Sequence, residues 1–592
     1  MTRLQLPLAL AVGSLAAASA LQASATATLA DVCTVDYVQS ILPADGFEHN
    51  IVFDADSVTA NAVYDYNVTA GDNFPAATDR NFCNVTFTYT REGGNATTEL
   101  KYWLPAPKQF NNRYLTTGGF GYAISGDEEY LPSGLVVGAV SGTTNGGIGA
   151  FGDELTAVIL NANGSLNYEH LYDFAYLAIH QLTQIGKEVT KNFYNASKIY
   201  SYYQGCSEGG REGWSQVQRY QTQFDGAAIG APAFRQAFQQ VNHIVAAVTE
   251  KAQNYAPPPC ELERILNDTI SACDGLDGRV DGVVSRTDLC YYHYNATSSI
   301  GNSYNCAASS GSGGFGKRQM AASSTPAQNG TVSAEAAELV NLLYKGLHDS
   351  QGRRVYLGYQ PTATFTDAET TYNTTTDEWE VSSSGMGVSI AGQYLQRFLK
   401  EVEADTISLD GVTYDTVRSW MLEGLRKFDG TLETTWPDLT EYRQNGGKII
   451  HYHGESDYSI PAASSVRYYE MAKSVMHPGL SDEEATEKFN EFYRLFLVPG
   501  AGHCAPSTDQ PNGPFPQSVL ESIIAWVEDG VNPKRLNATV IDGTVSDKDQ
   551  KICSWPLRPK WTNNGTEMDC VKSEVALENF YPKLDSIPVV VY

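Results

Sequence analysis

The chain has 592 residues, 42% of them hydrophobic and 18% charged, with a formal net charge of −28. That length exceeds what one simple core serves, so two domains, or one large domain carrying an insertion, are expected. The acidic balance argues against nucleic acid or an anionic membrane surface as a partner and suits a soluble protein.

The N-terminus carries Arg3, an apolar run from Leu4 to Ala18, and then Ala18-Ser19-Ala20. This reads as a secretory signal over residues 1–20, with Ala23-Ser24-Ala25 as a second small-residue cleavage motif. The run is too short to span a membrane, and no later segment reaches about 18 apolar residues, so a secreted extracellular protein with no membrane partner is expected. Ten cysteines behind a signal imply disulfides. Sequons at Asn67, Asn84, Asn95, Asn163, Asn195, Asn267, Asn295, Asn329, Asn373, Asn537 and Asn564 predict a glycoprotein. The composition leaves homo-oligomer formation open.

Residues 21–234 read as the first part of an α/β fold. Val85–Tyr89 and Leu100–Leu104 alternate like antiparallel strands, and Arg113–Thr117 and Leu135–Val140 resemble buried strands. Thr117-Gly118-Gly119-Phe120-Gly121 follows one of them. In an α/β-hydrolase the loop there donates a backbone N–H to the oxyanion hole, so Gly118 and Gly119 are candidate donors, with the N–H of Glu208 as the other. One lost donor of this kind typically costs about 2.7–4 kcal/mol of barrier. Leu171–Ile185 has apolar residues at helical spacing. Next comes a β-branched and aromatic strand, Lys198–Tyr203, then Gly205-Cys206-Ser207-Glu208-Gly209, then a helical pattern over Gly210–Tyr220. G-x-S-x-G between a strand and a helix is the nucleophile elbow, a strained turn that exposes a serine hydroxyl. Gly226–Ala231 reads as a further short strand.

From Pro232 to about Lys448 the alternation is lost, and residues 235–440 read as an inserted lid domain. It contains Asp274-Gly275-Leu276-Asp277-Gly278-Arg279-Val280-Asp281-Gly282-Val283, three carboxylates alternating with turn-permitting glycines. Hard oxygens in this arrangement suit Ca²⁺, although the spacing is not that of an EF-hand. Ala307–Gln328 is rich in Ala, Ser and Gly and encloses the dibasic pair Lys317-Arg318, a candidate processing site. Residues 441–592 return to the α/β pattern. Lys448–Asp457 is a buried-strand pattern ending in a carboxylate turn, Phe496–His503 is another ending in a histidine turn, and Ser518–Glu528 reads as a closing helix.

A serine hydroxyl needs an imidazole to take its proton, and the imidazole needs a carboxylate to fix its tautomer. In the chain order expected for this fold, Ser207, Asp457 and His503 are the nucleophile, orienting acid and general base. Cys206 precedes the serine and Cys504 follows the histidine. A disulfide between them would hold their Cα atoms roughly 4.4–6.8 Å apart and bring the two loops within reach. His451 and His453 sit on the strand leading to Asp457; they point the same way without a third ligand and are read as structural rather than metal-binding. His180 and His243 have no motif context. Cys-x-x-Cys, P-loop and dinucleotide patterns are absent, so no redox cofactor or nucleotide is implied.

Cys206-Ser207, Asp457 and His503-Cys504 together resemble the CS-D-HC motif of the fungal tannase and feruloyl esterase family. The stretches Gly205–Phe234, His451–Ser465 and that around Gln328-Asn329-Gly330 extend the likeness over essentially the whole mature chain. The resemblance implies an α/β-hydrolase fold with a large lid and a secreted serine esterase that cuts galloyl esters through an acyl-enzyme. It also supports the pairings Cys33–Cys83, Cys260–Cys306, Cys273–Cys290 and Cys553–Cys570, and a structural lid Ca²⁺. The calcium ligands so implied are the side chains of Asp274, Asp277 and Asp281 and the carbonyls of Arg279 and Val283. It favours cleavage after Arg318, with the two polypeptides joined by Cys206–Cys504. The nearest alternative is a feruloyl esterase with the same catalytic residues. More distant ones are a serine carboxypeptidase-like peptidase and a non-catalytic calcium-dependent binding protein.

Overall fold

The computed structural model describes residues 27–587 apart from 49, 95, 149–158, 311–323 and 546–547. The signal segment and Lys317-Arg318 lie outside the described residues.

Nine strands form the central sheet: β1 (Ile51–Val68), β2 (Ala77–Arg91), β3 (Thr97–Pro105), β4 (Arg113–Thr117), β5 (Ala139–Thr144), β6 (Tyr200–Cys206), β7 (Gly226–Gly230), β8 (Lys448–Gly454) and β9 (Tyr493–Val498). Their order is β1-β2-β3-β5-β4-β6-β7-β8-β9. The β1–β2, β2–β3 and β3–β5 pairs are antiparallel, and every pair from β5–β4 to β8–β9 is parallel. The parallel part is sandwiched between helices, so its strands are buried on both faces. That is why β7 and β9 read as unbroken runs of buried residues rather than as alternations. The helix Ala178–Tyr194 buries Ile179, Leu182, Ile185, Val189 and Phe193 on one stripe, in the same core cluster as Tyr102, Tyr114 and Tyr203 of the sheet. The helix Val519–Asp529 places Val519, Ile523 and Trp526 in a second cluster with Ile450 and Phe496.

Two elements depart from the sequence reading. Leu135–Val137 is not strand: Pro132–Val137 is a short helix begun by Pro132, and it ends at Gly138 in a left-handed conformation (φ 68°) before β5 starts at Ala139. The 18-residue β1 was not anticipated. It is an edge strand, mostly exposed and broken by register shifts, so its residues carry no clean alternation.

Between the end of β7 and the start of β8, none of the described residues joins the central sheet. This insertion is mainly helical, including Gln236–Asn242, Val245–Gln253, Pro259–Cys273, Ala334–Lys345, Met386–Gln393 and Tyr414–Phe428. Part of it merges with the main core through Phe238, Val241, Met421 and Phe428. Leu262, Ile265, Leu339 and Val340 belong to a smaller core of its own. After β9 the chain adds two antiparallel ribbons, Arg535–Thr539 with Asp549–Cys553 and Leu557–Thr562 with Glu567–Lys572.

All ten cysteines are paired: Cys33–Cys83, Cys206–Cys504, Cys260–Cys306, Cys273–Cys290 and Cys553–Cys570. The Cys206–Cys504 bond joins positions 298 apart in sequence at a Cα separation of 6.0 Å.

Candidate active site

The turns after β6, β8 and β9 all open at the C-terminal edge of the parallel sheet, where such folds place their chemistry. Ser207 follows β6 directly, at φ 63° and ψ −121°, as the N-cap of the helix Glu208–Arg219. A non-glycine residue held there costs on the order of 1–3 kcal/mol, which the surrounding packing must sustain. The packing is tight enough to demand glycine beside it: a Cβ on Gly205 would sit 2.7 Å from the Gly209 carbonyl oxygen, and one on Gly209 would sit 2.8 Å from that of Gly119.

His503 reaches across from the turn after β9. Its Nε2 lies 2.8 Å from Ser207 Oγ and its Nδ1 2.8 Å from Asp457 Oδ2. The Asp457 carboxylate is buried. Its Oδ1 accepts the backbone N–H of Ser459 and of Ile460, each at 2.8 Å, and its Oδ2 also lies 3.1 Å from His453 Nε2. Burial acts to raise this carboxyl. The charge of His503 and the hydrogen bonds of His453 and His503 outweigh it and hold Asp457 below the usual carboxylate range. The arrangement can therefore do what the residue types promise. An ionised acid orients an imidazole whose other nitrogen is within proton-transfer distance of a hydroxyl that lines the cavity.

The glycine run after β4 corrects the sequence reading. The Gly118 N–H donates to the Gln204 carbonyl at 3.2 Å, and the Gly119 N–H donates to Glu212 Oε2 at 3.0 Å. Both proposed oxyanion donors are thus committed internally, because the run must also lock onto the elbow helix that follows Ser207. Gly121, at φ 59°, is the member of the run that lines the cavity with Ser207 and Glu208. Glu208 opens its helix, so its N–H has no intrahelical acceptor and stays eligible as a donor.

The far wall of the cavity comes from the insertion, through Gln239, Gln240, His243 and Ile390; Ser459 and Ile460 close the side beneath Asp457. His243 Nδ1 lies 2.9 Å from Asp367 Oδ2, which also accepts the Tyr359 hydroxyl at 3.0 Å. The cavity volume is about 40 Å³, below the roughly 150 Å³ of a cavity that holds a benzene ring. No motif pointed to His243. Its signal is spatial, since Asp367 and the cavity are brought to it by folding.

The acidic loop keeps its carboxylates inward. Asp274 accepts the N–H groups of Asp281 and Gly282 at 3.0 Å each, Asp277 that of Arg279 at 2.9 Å, and Asp281 that of Val283 at 3.1 Å. Asp281 also pairs with Arg279 Nε at 2.9 Å. Asp277 Oδ2 is buried without a hydrogen-bond partner. Burial, with the Asp281 and Asp274 charges adding, pushes the Asp277 carboxyl up to about 6. Three oxygen-donor side chains, one with an orphaned buried oxygen, are the chemistry a hard divalent ion uses, although their carboxylate oxygens do not all lie within 4.8 Å of one another.

Comparison with known proteins agrees with this geometry. Residues 83–577 match the family described as tannase and feruloyl esterase. A tannase of Aspergillus oryzae is 45% identical over 594 aligned residues, covering 97% of this chain and 99% of its own. The structure of a tannin acyl hydrolase from Aspergillus niger superposes with a TM-score of 0.90 at 50% identity, covering 95% of this chain and 99% of that one. Feruloyl esterase B from Aspergillus oryzae shares the fold, with a TM-score of 0.66 at 24% identity over 88% of this chain and 97% of that one. The chain belongs to the tannase and feruloyl esterase family.

Proposed function

We propose that the protein is a serine esterase that hydrolyses galloyl esters, and the depside bonds between galloyl groups, to release gallate. The placement of His503 between Ser207 and Asp457 carries the esterase reading. Ser207 Oγ attacks the ester carbonyl while His503 Nε2 takes its proton. The oxyanion forms against the Glu208 amide, with the second donor drawn from Gly121 rather than from Gly118 or Gly119. His503 then protonates the departing alcohol. In the second half-reaction it takes a proton from water, which attacks the acyl-enzyme and frees the acid.

The galloyl preference rests on the tannases named above and on the polar side chains that reach the cavity. Gln239, Gln240, His243 and Ser459 offer both donors and acceptors to a ring bearing three hydroxyls. A site built to bond hydroxyls rejects analogues lacking them, because its own buried groups are then left unpaired. The test is kcat/KM on methyl gallate against methyl ferulate. A strong preference for gallate is expected. A preference for ferulate would keep the triad and move the substrate to the feruloyl branch.

In this reading residues 235–440 act as the lid. Asp274, Asp277 and Asp281, with the carbonyls of Arg279 and Val283, would hold a Ca²⁺ whose contribution is to neutralise the acidic loop. Chelation is then expected to lower the melting temperature and added Ca²⁺ to restore it. At 100 times the dissociation constant, binding is worth about 2.7 kcal/mol. Asp277→Asn should abolish that response, whereas a melting temperature indifferent to chelator would remove calcium from the account.

Secretion is supported by the five disulfides, which belong to an oxidising compartment. Among the described residues no helix is long and apolar enough to cross a membrane. Glycosylation is supported by exposed sequons such as Asn67, Asn163, Asn195 and Asn537. Should the chain be cut after Arg318, Cys206–Cys504 is the one disulfide of the five whose partners lie on opposite sides of the cut.

A further inference from the structure

Behind Asp457 runs a file of buried polar side chains that the reaction above does not use. His453 Nδ1 lies 2.6 Å from Ser465 Oγ. Ser465 Oγ lies 2.8 Å from His451 Nε2, and His451 Nδ1 lies 2.7 Å from the Tyr493 hydroxyl. Every member is essentially inaccessible to solvent. His451 and His453 project from the same face of β8, Tyr493 from the adjoining β9, and Ser465 from the helix Ala463–Met476 packed over them.

We propose that this file is a directional hydrogen-bond chain, with every proton pointing towards Asp457, and that His453 is a positioning residue for the catalytic carboxylate. The proposal rests on the assignment of Ser207, Asp457 and His503 above.

The direction follows from the partners at the catalytic end. His453 Nε2 faces only acceptors, Asp457 Oδ2 at 3.1 Å and the Ile460 carbonyl at 3.0 Å, so it must carry a proton. In the neutral ring Nδ1 is then bare and accepts the Ser465 hydroxyl proton. Ser465 Oγ, having donated, accepts from His451 Nε2–H, and His451 Nδ1 accepts from Tyr493. His453, Ser465 and His451 each serve as donor and as acceptor, Tyr493 donates at the head of the file, and none of the four carries a charge. The reverse direction would require a doubly protonated His453, a cation beside Asp457 that would repel the imidazolium formed on His503 during catalysis. Trp214 and Phe234 flank His451 at ring separations of 5.6 and 5.8 Å, and burial holds its imidazole well below the ordinary histidine range.

Two consequences follow for the reaction. The carboxylate cannot swing, since Oδ1 is held by two amides and Oδ2 by His453, so His503 always meets an oxygen in the same place. The donor on Oδ2 also draws off part of the charge that Asp457 presents to His503. A less electron-rich carboxylate stabilises the imidazolium less, so removing this donor would make His503 easier to protonate. The other titratable groups facing Asp457 are the phenols of Tyr359 and Tyr458, both pushed up by burial and by nearby carboxylates and therefore neutral. Beyond them lies Asp367, held by His243 and Tyr359.

The test is the pH profile of kcat/KM, with kcat and KM separately, for His453→Leu, His453→Gln and Ser465→Ala. His453→Leu removes the donor. Its kcat is expected to fall roughly 10- to 100-fold with KM nearly unchanged, and its acid limb to move to higher pH. Glutamine can give an N–H to Asp457 and accept from Ser465, so His453→Gln should recover most of kcat and the original limb. Ser465→Ala should shift the limb in the same direction as leucine, but less. A wild-type kcat and limb in His453→Leu would overturn the proposal. So would a His453→Gln variant that melts like the wild type yet is as impaired as leucine. Either outcome leaves the triad standing as long as activity still vanishes without the Ser207 hydroxyl.

Discussion

Replacing Ser207 by alanine is expected to lower kcat on a galloyl ester by roughly 10⁵- to 10⁶-fold while leaving the melting temperature close to that of the parent protein. The substitution removes one oxygen, which lies 2.8 Å from His503 Nε2, and it keeps a Cβ at the same strained backbone position. Nothing else in the site can take its place as nucleophile, because the activated hydroxyl is the one the imidazole addresses. Residual turnover would come from substrate binding and the oxyanion donors acting on water. Initial rates with substrate in excess, alongside a thermal melt, measure both halves of the expectation. Activity retained within tenfold would move the nucleophile elsewhere. Joint loss of activity and fold would show instead that the hydroxyl is structural.

The second large effect concerns the bond beside the two reacting groups. Joint replacement of Cys206 and Cys504 by alanine is expected to lower stability by about 2–5 kcal/mol, since a long loop of the unfolded chain is released. Activity should fall too, for a local reason. Cys504 is held at φ 61°, a conformation that costs a non-glycine residue on the order of 1–3 kcal/mol. Freed from Cys206, it can relax, and His503 is its immediate neighbour. A displacement of about 1 Å at a reacting group can cost on the order of 10²-fold. Denaturant unfolding and kcat of the double variant test this together. Unchanged stability and unchanged kcat would reduce the disulfide to a bystander.

The parts of the site legible in the sequence were those in which one local stretch carries both the chemistry and its scaffold. Ser207 lies between a strand and a helix and is flanked by glycines that the packing requires, so the elbow could be read from five residues. Asp457 and His503 each end a buried strand, and parallel strands buried on both faces leave a plain apolar run. The paired cysteines were readable because each adjoins a residue the chemistry needs. What was illegible depended on contacts between distant segments. Gly118 and Gly119 looked like oxyanion donors, but their N–H groups are taken by Gln204 and Glu212, which only the packed loop reveals. His453 looked merely structural, because its partners are Asp457, four residues on, and Ser465, on the following helix. His243 became part of the cavity wall only through the way the insertion folds back over Ser207. In the fold the errors were similar in kind. Edge strand β1 has too polar a face to alternate, and the helix Pro132–Val137 is short enough for its apolar residues to pass for strand.

The central claim, that Ser207 carries the acyl group of a galloyl ester, is tested most directly by quenching the enzyme in acid during turnover of methyl gallate and mapping the modified peptides by mass spectrometry. The account predicts a galloyl adduct on the peptide containing Ser207, absent when Ser207 is alanine. A galloyl adduct on another residue, or full turnover with no acylated peptide at any quench time, would contradict it.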